Sequence, residues 1–227
     1  MVKAVIFDID GTLVDSVNLH AHAWQQAFQQ FGHNVTFEEV RQQIGKGSDK
    51  LIPHFLYERE NERLGKQLDK FRSELWKREY LPKVQPFPMV RELFERLLAE
   101  SKKVVLASSA KGDELEAYKK IAGINDLIQR ETSSDDVENS KPDPDIIHAA
   151  LAKLHNPDPS EVIMIGDTPY DAISADKAGV RTIGVLCGGW SEEQLREAGC
   201  VAVYRDPSDL LLHYARSPLA SPTGIAA

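Results

Sequence analysis

Two cysteines, Cys187 and Cys200, are all that the 227 residues contain, and two cannot build a disulfide framework. A reducing compartment is the simplest home, and both thiols read as small core residues rather than nucleophiles. No apolar run reaches the ~18 residues of a membrane span, and the first residues lack a secretion-signal pattern. The chain is therefore expected to be cytoplasmic, with no membrane partner. Positive charge is also short: 27 Lys and Arg against 35 Asp and Glu leave a net charge of −8. That balance argues against nucleic acid as a partner. An anionic ligand must then be drawn in by a few local cations and a metal ion. The remaining composition, 42% hydrophobic and 27% charged, suits one large soluble domain, or a core domain carrying an insert.

The most informative stretch runs from Lys3 to Ser16. Ala4 to Phe7 favour a buried, parallel-sheet strand, and they run straight into Asp8 and Asp10. Gly11 and Thr12 then break the strand and let the backbone turn. Both carboxylates thus fall at the carboxyl end of a strand, where open α/β sheets hold their ligands. Carboxylates this close repel unless a cation lies between them, and a hard divalent ion such as Mg²⁺ fits oxygen donors. A polar strand-to-turn exit is the bland alternative. An EF-hand start shares the letters but fails: Gly11 comes two positions early, and Leu19 stands where the bidentate Glu belongs.

Beyond Ser16 the period changes. Leu19, Ala23, Trp24, Ala27, Phe28 and Phe31 mark an amphipathic helix that stops at Gly32. Thr36 with Glu39 predicts a capping box opening a short helix through Ile44. Ser48 is expected to cap a helix over 49–60, and Leu64 to Trp76 marks another ending near Tyr80. No strand is expected between 17 and 80. Three prolines within Leu81–Pro88 read as a stiff linker. Strands and helices then alternate: helix 89–100, strand 103–107, helix 113–122 stopped by Gly123, and a short strand over 127–131. A helix opened by Asp143 as cap and Pro144 runs to Leu154. Strand 162–165, helix 170–178 and strands 182–186 and 201–204 complete the series. The predicted fold is α/β, a doubly wound parallel sheet (1–16 and 82–216) with an inserted all-helical domain (17–81). The tail 217–227 is expected to fray.

Three further strand ends deliver polar residues to the same sheet edge. Ser108, beside Ser109 and Lys111, offers a hydroxyl to a phosphate oxygen or simply caps a helix. Lys141, pinned before Pro142, either neutralises charge between carboxylate and phosphate or is an exposed lysine. Gly166-Asp167 with Asp171 gives two acids four apart at a helix start, which is also what ordinary capping looks like.

Taken together, Asp8-x-Asp10, Ser108, Lys141 and Asp167-x-x-x-Asp171 closely resemble the haloacid dehalogenase superfamily of hydrolases. The resemblance covers essentially the whole core, and the helical insert looks like that family's cap domain. It implies phosphoryl transfer, with Asp8 as nucleophile and Asp10 as general acid and base. Thr12, Ser108, Ser109 and Lys141 would hold the phosphoryl oxygens, with Mg²⁺ bound by Asp8, Asp10 through its main-chain carbonyl, and Asp167, supported by Asp171. An aspartate at position 10 points to a phosphatase or mutase rather than a dehalogenase. Substrate choice would reside in the cap, through His20, Lys46, Ser48 and Lys50; the Gly45–Lys50 loop could hold a second phosphate. His20 with Trp24 also reads as a helix packing face. The resulting expectation is a Mg²⁺-dependent phosphatase for a small phosphorylated metabolite, monomeric or weakly dimeric. A sugar-phosphate mutase of the β-phosphoglucomutase type is the alternative, and a non-catalytic binding protein on the same fold a more remote one.

Overall fold

In the computed structural model, residues 1–128 and 130–220 are described. Ala4–Phe7 form strand β1, buried at every position. After a turn, the two-residue strand β2 (Val14–Asp15) leads into four helices: α1 (Val17–Gln30), α2 (Phe37–Arg41), α3 (Ser48–Phe55) and α4 (Glu58–Leu75). A π-helical turn over Trp76–Tyr80 and a 3-10 turn over Leu81–Lys83 bring the chain back to β3 (Gln85–Pro86). Alternation then begins with α5 (Val90–Ala99), β4 (Lys103–Ala107), α6 (Gly112–Ile121), β5 (Glu131–Thr132) and α7 (Asp145–Lys153). It ends with β6 (Val162–Gly166), α8 (Pro169–Lys177), β7 (Arg181–Val185), α9 (Glu192–Glu197), β8 (Ala202–Tyr204) and α10 (Pro207–Leu212).

Six strands make one parallel sheet in the order β5-β4-β1-β6-β7-β8. Because side chains alternate along a strand, β1 divides the core. Val5 and Phe7 join Leu106, Ile163, Phe94 and Leu210 on one face, while Ala4 and Ile6 join Val105, Met164, Ile147 and Leu151 on the other. Both faces are covered by helices, which is why the strands read as continuous apolar runs. The register aligns Phe7 with Leu106 and with Ile165, so Asp8, Ser108 and Asp167 all emerge at one edge. Helices α1 to α4 close over a separate cluster that includes Trp24, Phe28, Val40, Leu51 and Leu68.

Several local expectations shift. Gly47, not Ser48, holds the cap position of α3, because its N–H is taken by the Ser140 hydroxyl at 3.0 Å. That helix ends at Phe55, where Leu56 turns extended, rather than reaching residue 60. Pro144 occupies the cap position of α7, since the Asp143 carboxylate is drawn to Lys50 at 2.8 Å. The short strand falls at Glu131–Thr132, not 127–131: Leu127 and Ile128 turn back onto the Ile124 carbonyl and pack on the core. Gln129 in that stretch lies outside the described residues. The expected stiff linker contains a short strand, β3, which pairs antiparallel with β2, Val14 opposite Pro86 and Asp15 opposite Gln85. Within the expected tail, Ser217 and Leu219 are buried, Leu219 completely; residues 221–227 lie outside the described residues. Helices α9 and α10 were not expected from the pattern. Among the described residues, no helix is long and apolar enough to cross a membrane.

Candidate active site

Asp8 follows β1, and its N–H extends the ladder to the Ile165 carbonyl at 2.9 Å. Asp167 follows β6, and Asp171 sits in the first turn of α8, where it closes a capping box with Thr168. The three carboxylates are buried and each places an oxygen within 4.8 Å of the others. Lys141 reaches this point from the loop before α7, through a cis Lys141–Pro142 bond. Its ammonium donates to Asp8 Oδ1 at 2.5 Å and to the Ala107 carbonyl at 3.0 Å, and lies 2.8 Å from Asp171 Oδ1.

Three carboxylates share one ammonium, so negative charge is in excess. Burial pushes the Asp8 carboxyl up to about 7: the Lys141 charge opposes this, while Asp171 and Asp10 add to it. Asp167 is raised well above the usual carboxylate range, by burial first and then by the charges of Asp171 and Asp8. Asp167 Oδ2 is buried without a hydrogen-bond partner among the described residues. Main chain closes in on that oxygen: a Cβ added to Gly188 would lie 1.7 Å from it, and one on Gly11 2.4 Å. Gly11 also has φ +77, a conformation that side-chain-bearing residues avoid. A donor set of crowded carboxylate oxygens with one left unsatisfied fits a hard divalent cation. Asp8, Asp167 and Asp171 are the residues that could hold it.

Asp10 belongs to a different environment. Its Oδ1 accepts from the Ser16 hydroxyl at 2.5 Å and lies 2.9 Å from His20 Nε2, so the side chain is not part of the carboxylate cluster. His20 is stacked on Trp76, ring centroids 3.6 Å apart. Arg72 Nη2 sits 2.5 Å from His20 Nδ1, and guanidinium can only donate. Nδ1 therefore accepts, and Nε2, which carries the hydrogen, faces both Asp10 Oδ1 and the Tyr118 hydroxyl at 2.9 Å. Burial works to raise the Asp10 carboxyl, but His20 beside it, with the Ser16 and Tyr118 hydroxyls, holds it below its ordinary value. Two aspartates two residues apart are thus tuned in opposite directions.

A cavity of about 280 Å³ opens beside Asp8 and Asp10, walled by the helical insert on one side and the loops after β4 and β5 on the other. Of the residues expected there, Lys46, Ser48, Ser109 and His20 line it. Four others do not. Thr12 is fully buried and donates to Asp167 Oδ1 at 3.1 Å. Ser108, also fully buried, accepts from the Ala110 N–H at 3.0 Å, so it caps a turn. Lys141 lies beneath the cavity, behind Asp8. Lys50 is no wall residue: its ammonium is spent on Asp143, joining insert to core. Neither cysteine lines the cavity; Cys200 is buried and Cys187 partly so, and burial pushes the Cys200 thiol up to about 12 and that of Cys187 higher still. Sequence reasoning missed Arg72, Glu114, Trp76 and Gly188. Ser16 alone carried a signal, lying within the opening stretch.

The chain belongs to the haloacid dehalogenase-like hydrolase family, whose pattern matches residues 5–185. Among its relatives, a phosphorylated carbohydrates phosphatase of Thermotoga maritima is 28% identical over 212 residues, covering 92% of this chain and 96% of that one. A putative pyrophosphatase, PpaX, of Caldanaerobacter subterraneus is 28% identical over 196 residues, covering 81% of each. Among solved structures, a hydrolase from Pseudomonas syringae superposes with a TM-score of 0.84 at 29% identity, covering 96% of this chain and 100% of its own.

Proposed function

We propose that the chain is a divalent-metal-dependent phosphatase of small phosphate monoesters, working through an aspartyl-phosphate. The observation that carries this is the opposite tuning of Asp8 and Asp10 on one strand end, beside a buried, charge-unbalanced carboxylate cluster. Relatives named as phosphatases support the same reading.

In the proposed reaction an Asp8 carboxylate oxygen attacks phosphorus, an oxygen–phosphorus bond forms, and the bond to the leaving oxygen breaks. The leaving oxygen takes its proton from Asp10. In the free protein His20 and Ser16 hold Asp10 ionised; the arriving phosphate dianion raises its pKa by like-charge repulsion, so that Asp10 takes up a proton from solvent as substrate binds. Water then attacks the phosphoenzyme, giving its proton to Asp10, and phosphate leaves Asp8. Lys141 holds Asp8 in place and balances its charge throughout. Asp8, Asp167 and Asp171 would hold Mg²⁺, which when bound offsets the negative charge of a phosphoryl group near three carboxylates. Helices α1 to α4 act as a cap that excludes water from the phosphoenzyme. Ser109, Ser48 and Lys46 face the substrate, while Thr12 and Ser108 act from beneath, by fixing Asp167 and the β4 turn.

The test is release of phosphate from p-nitrophenyl phosphate with Mg²⁺, abolished by EDTA, with trapping of phosphate on Asp8 by rapid quench and peptide mapping. Absence of turnover across a broad panel of phosphate esters would falsify the reading.

A further inference from the structure

The insert also meets the core outside the cavity. Arg41, the last residue of α2, lays its guanidinium against the turn that follows β7, Leu186 to Gly189. Its Nη2 donates to the Gly188 carbonyl at 2.9 Å, and its Nε donates to Asn18 Oδ1 on α1 at 2.8 Å. The fit is close: a Cβ added to Gly189 would lie 2.0 Å from Nη2, and Gly189 has φ +89. The turn that Arg41 grips is the one that crowds Asp167. Oδ1 of Asp167 accepts from Thr12 at 3.1 Å, and Oδ2, without a hydrogen-bond partner among the described residues, faces the main chain of Gly188. Within the core the turn is closed by the Gly189 N–H on the Leu186 carbonyl at 2.8 Å, and anchored by the Cys187 thiol on the Gly11 carbonyl at 3.1 Å. A thiol is a weak donor. Arg41 adds the charged bond, and adds it from the insert. The residues after it seat on the neighbouring loop. The Gln42 carbonyl accepts the Tyr170 hydroxyl at 2.7 Å, and a Cβ on Gly45 would come within 2.8 Å of Thr168. Residues 41–45 thus rest on both loops that carry or crowd Asp167 and Asp171.

We infer that Arg41 is a positioning residue for the divalent cation: by holding the Gly188 carbonyl it keeps the turn against Asp167, so that seating of the insert and binding of the cation are coupled. This rests on the metal-dependent phosphatase reading. While Gly188 abuts it, the Asp167 carboxylate has one orientation in which to present its unpartnered oxygen. Once the turn is released the side chain gains rotational freedom, which must be given up again when a cation binds. Carboxylates that ligate metals lose affinity when the contacts that orient them are removed. Coupling of this kind is reciprocal. A cation that fixes Asp167 also steadies the turn, and with it the surface on which Arg41 docks.

The test measures binding without turnover. Free Mn²⁺ is counted by electron paramagnetic resonance as the metal-free protein is titrated, and Mg²⁺ is read by competition. Arg41→Ala is expected to raise both Kd values roughly tenfold, the lower end of the ~10–100-fold that the supporting contacts of metal ligands are worth. Lys50→Ala, which loosens the insert at a different contact with the core, Asp143, is expected to leave them unchanged. Hydrogen exchange in EDTA supplies the local readout. The Gly189 N–H should exchange faster in Arg41→Ala than in wild type, and no faster in Lys50→Ala. Unchanged Kd values in Arg41→Ala, or an equal weakening in Lys50→Ala, overturn the inference, as does weaker binding with Gly189 exchange unaltered. A wild type that binds neither ion removes the metal-dependent reading itself; one that binds both, with Arg41→Ala its equal, removes only the role of Arg41.

Discussion

The floor and the roof of the cavity solve opposite electrostatic problems. The floor gathers Asp8, Asp167 and Asp171 around one ammonium and is short of positive charge. The roof, made by the insert, pairs Arg72 across to Glu114 and Lys111 to Asp69, and among the described residues leaves Lys46 with neutral partners. A floor of this kind accepts any phosphoryl group that arrives with its cation. Under the proposed function, selection among leaving groups would fall to the roof. In the proposed reaction the chemistry falls to rigid strand ends, and the choice of substrate to loops that meet them.

The largest effect that would break this division is at Asp8. Asp8→Asn should take phosphate release below detection, measured with p-nitrophenyl phosphate, because the proposed nucleophile is gone while Lys141 keeps an oxygen acceptor there. Asp10→Asn should cost about 10²–10⁴-fold in kcat, the usual worth of acid–base help, and more for poor leaving groups than for p-nitrophenol. Equal, modest losses for both would merge roles that the geometry separates.

Next in size is the response of the floor to pH without metal. The Asp8 carboxyl stands near 7 in the fold against 3.8 outside it. Between those values the folded state keeps a proton that the unfolded state has lost, so stability must fall as pH rises. Thermal unfolding in EDTA should show Tm dropping from pH 4 to 7, with Mg²⁺ restoring it at the upper end. A flat profile would mean that the carboxylates are not crowded in solution. Gly188→Ala sharpens the same point, since its methyl group would enter the space of Asp167 Oδ2; it should weaken metal-dependent stabilisation more than stability in EDTA. The smallest effect belongs to the seam between roof and floor. Lys50→Ala removes a half-exposed pair with Asp143, worth about 0.2–1 kcal/mol, and should raise KM up to about fivefold with kcat little changed.

The floor was legible in the sequence because each of its residues follows a buried strand or opens a helix within a few positions. Asp8 inherits its place from Ala4–Phe7, and Asp167 from Val162–Gly166. The roof was far less so. Arg72 lies on α4, whose sequence ERENERLGKQLDKFRSEL reads as a solvated face, and only packing of α4 on α1 brings it over His20. Glu114 is an acid in the first turn of α6, a common helix-start feature, yet it is 2% exposed because the insert closes on it. Gly188 sits 21 residues past Asp167 in the chain, and no local pattern announces the contact. Thr12 and Ser108 were found at the right strand ends but point into the fold, since hydroxyls near a strand end satisfy buried neighbours as readily as a ligand. The cap of α3 went to Gly47 because a long-range bond to Ser140 outweighed the local preference for Ser48.

The pairing of Val14–Asp15 with Gln85–Pro86 sets the two points where the chain leaves and rejoins the sheet side by side, roughly 5 Å apart. Whatever spans such a doorway is joined to the strands at one spot and asks nothing of their spacing. In loop-closure terms, doubling the length between fixed ends costs only about 0.6 kcal/mol. A roof can therefore lengthen, shorten or be rebuilt while the catalytic edge beneath keeps its register.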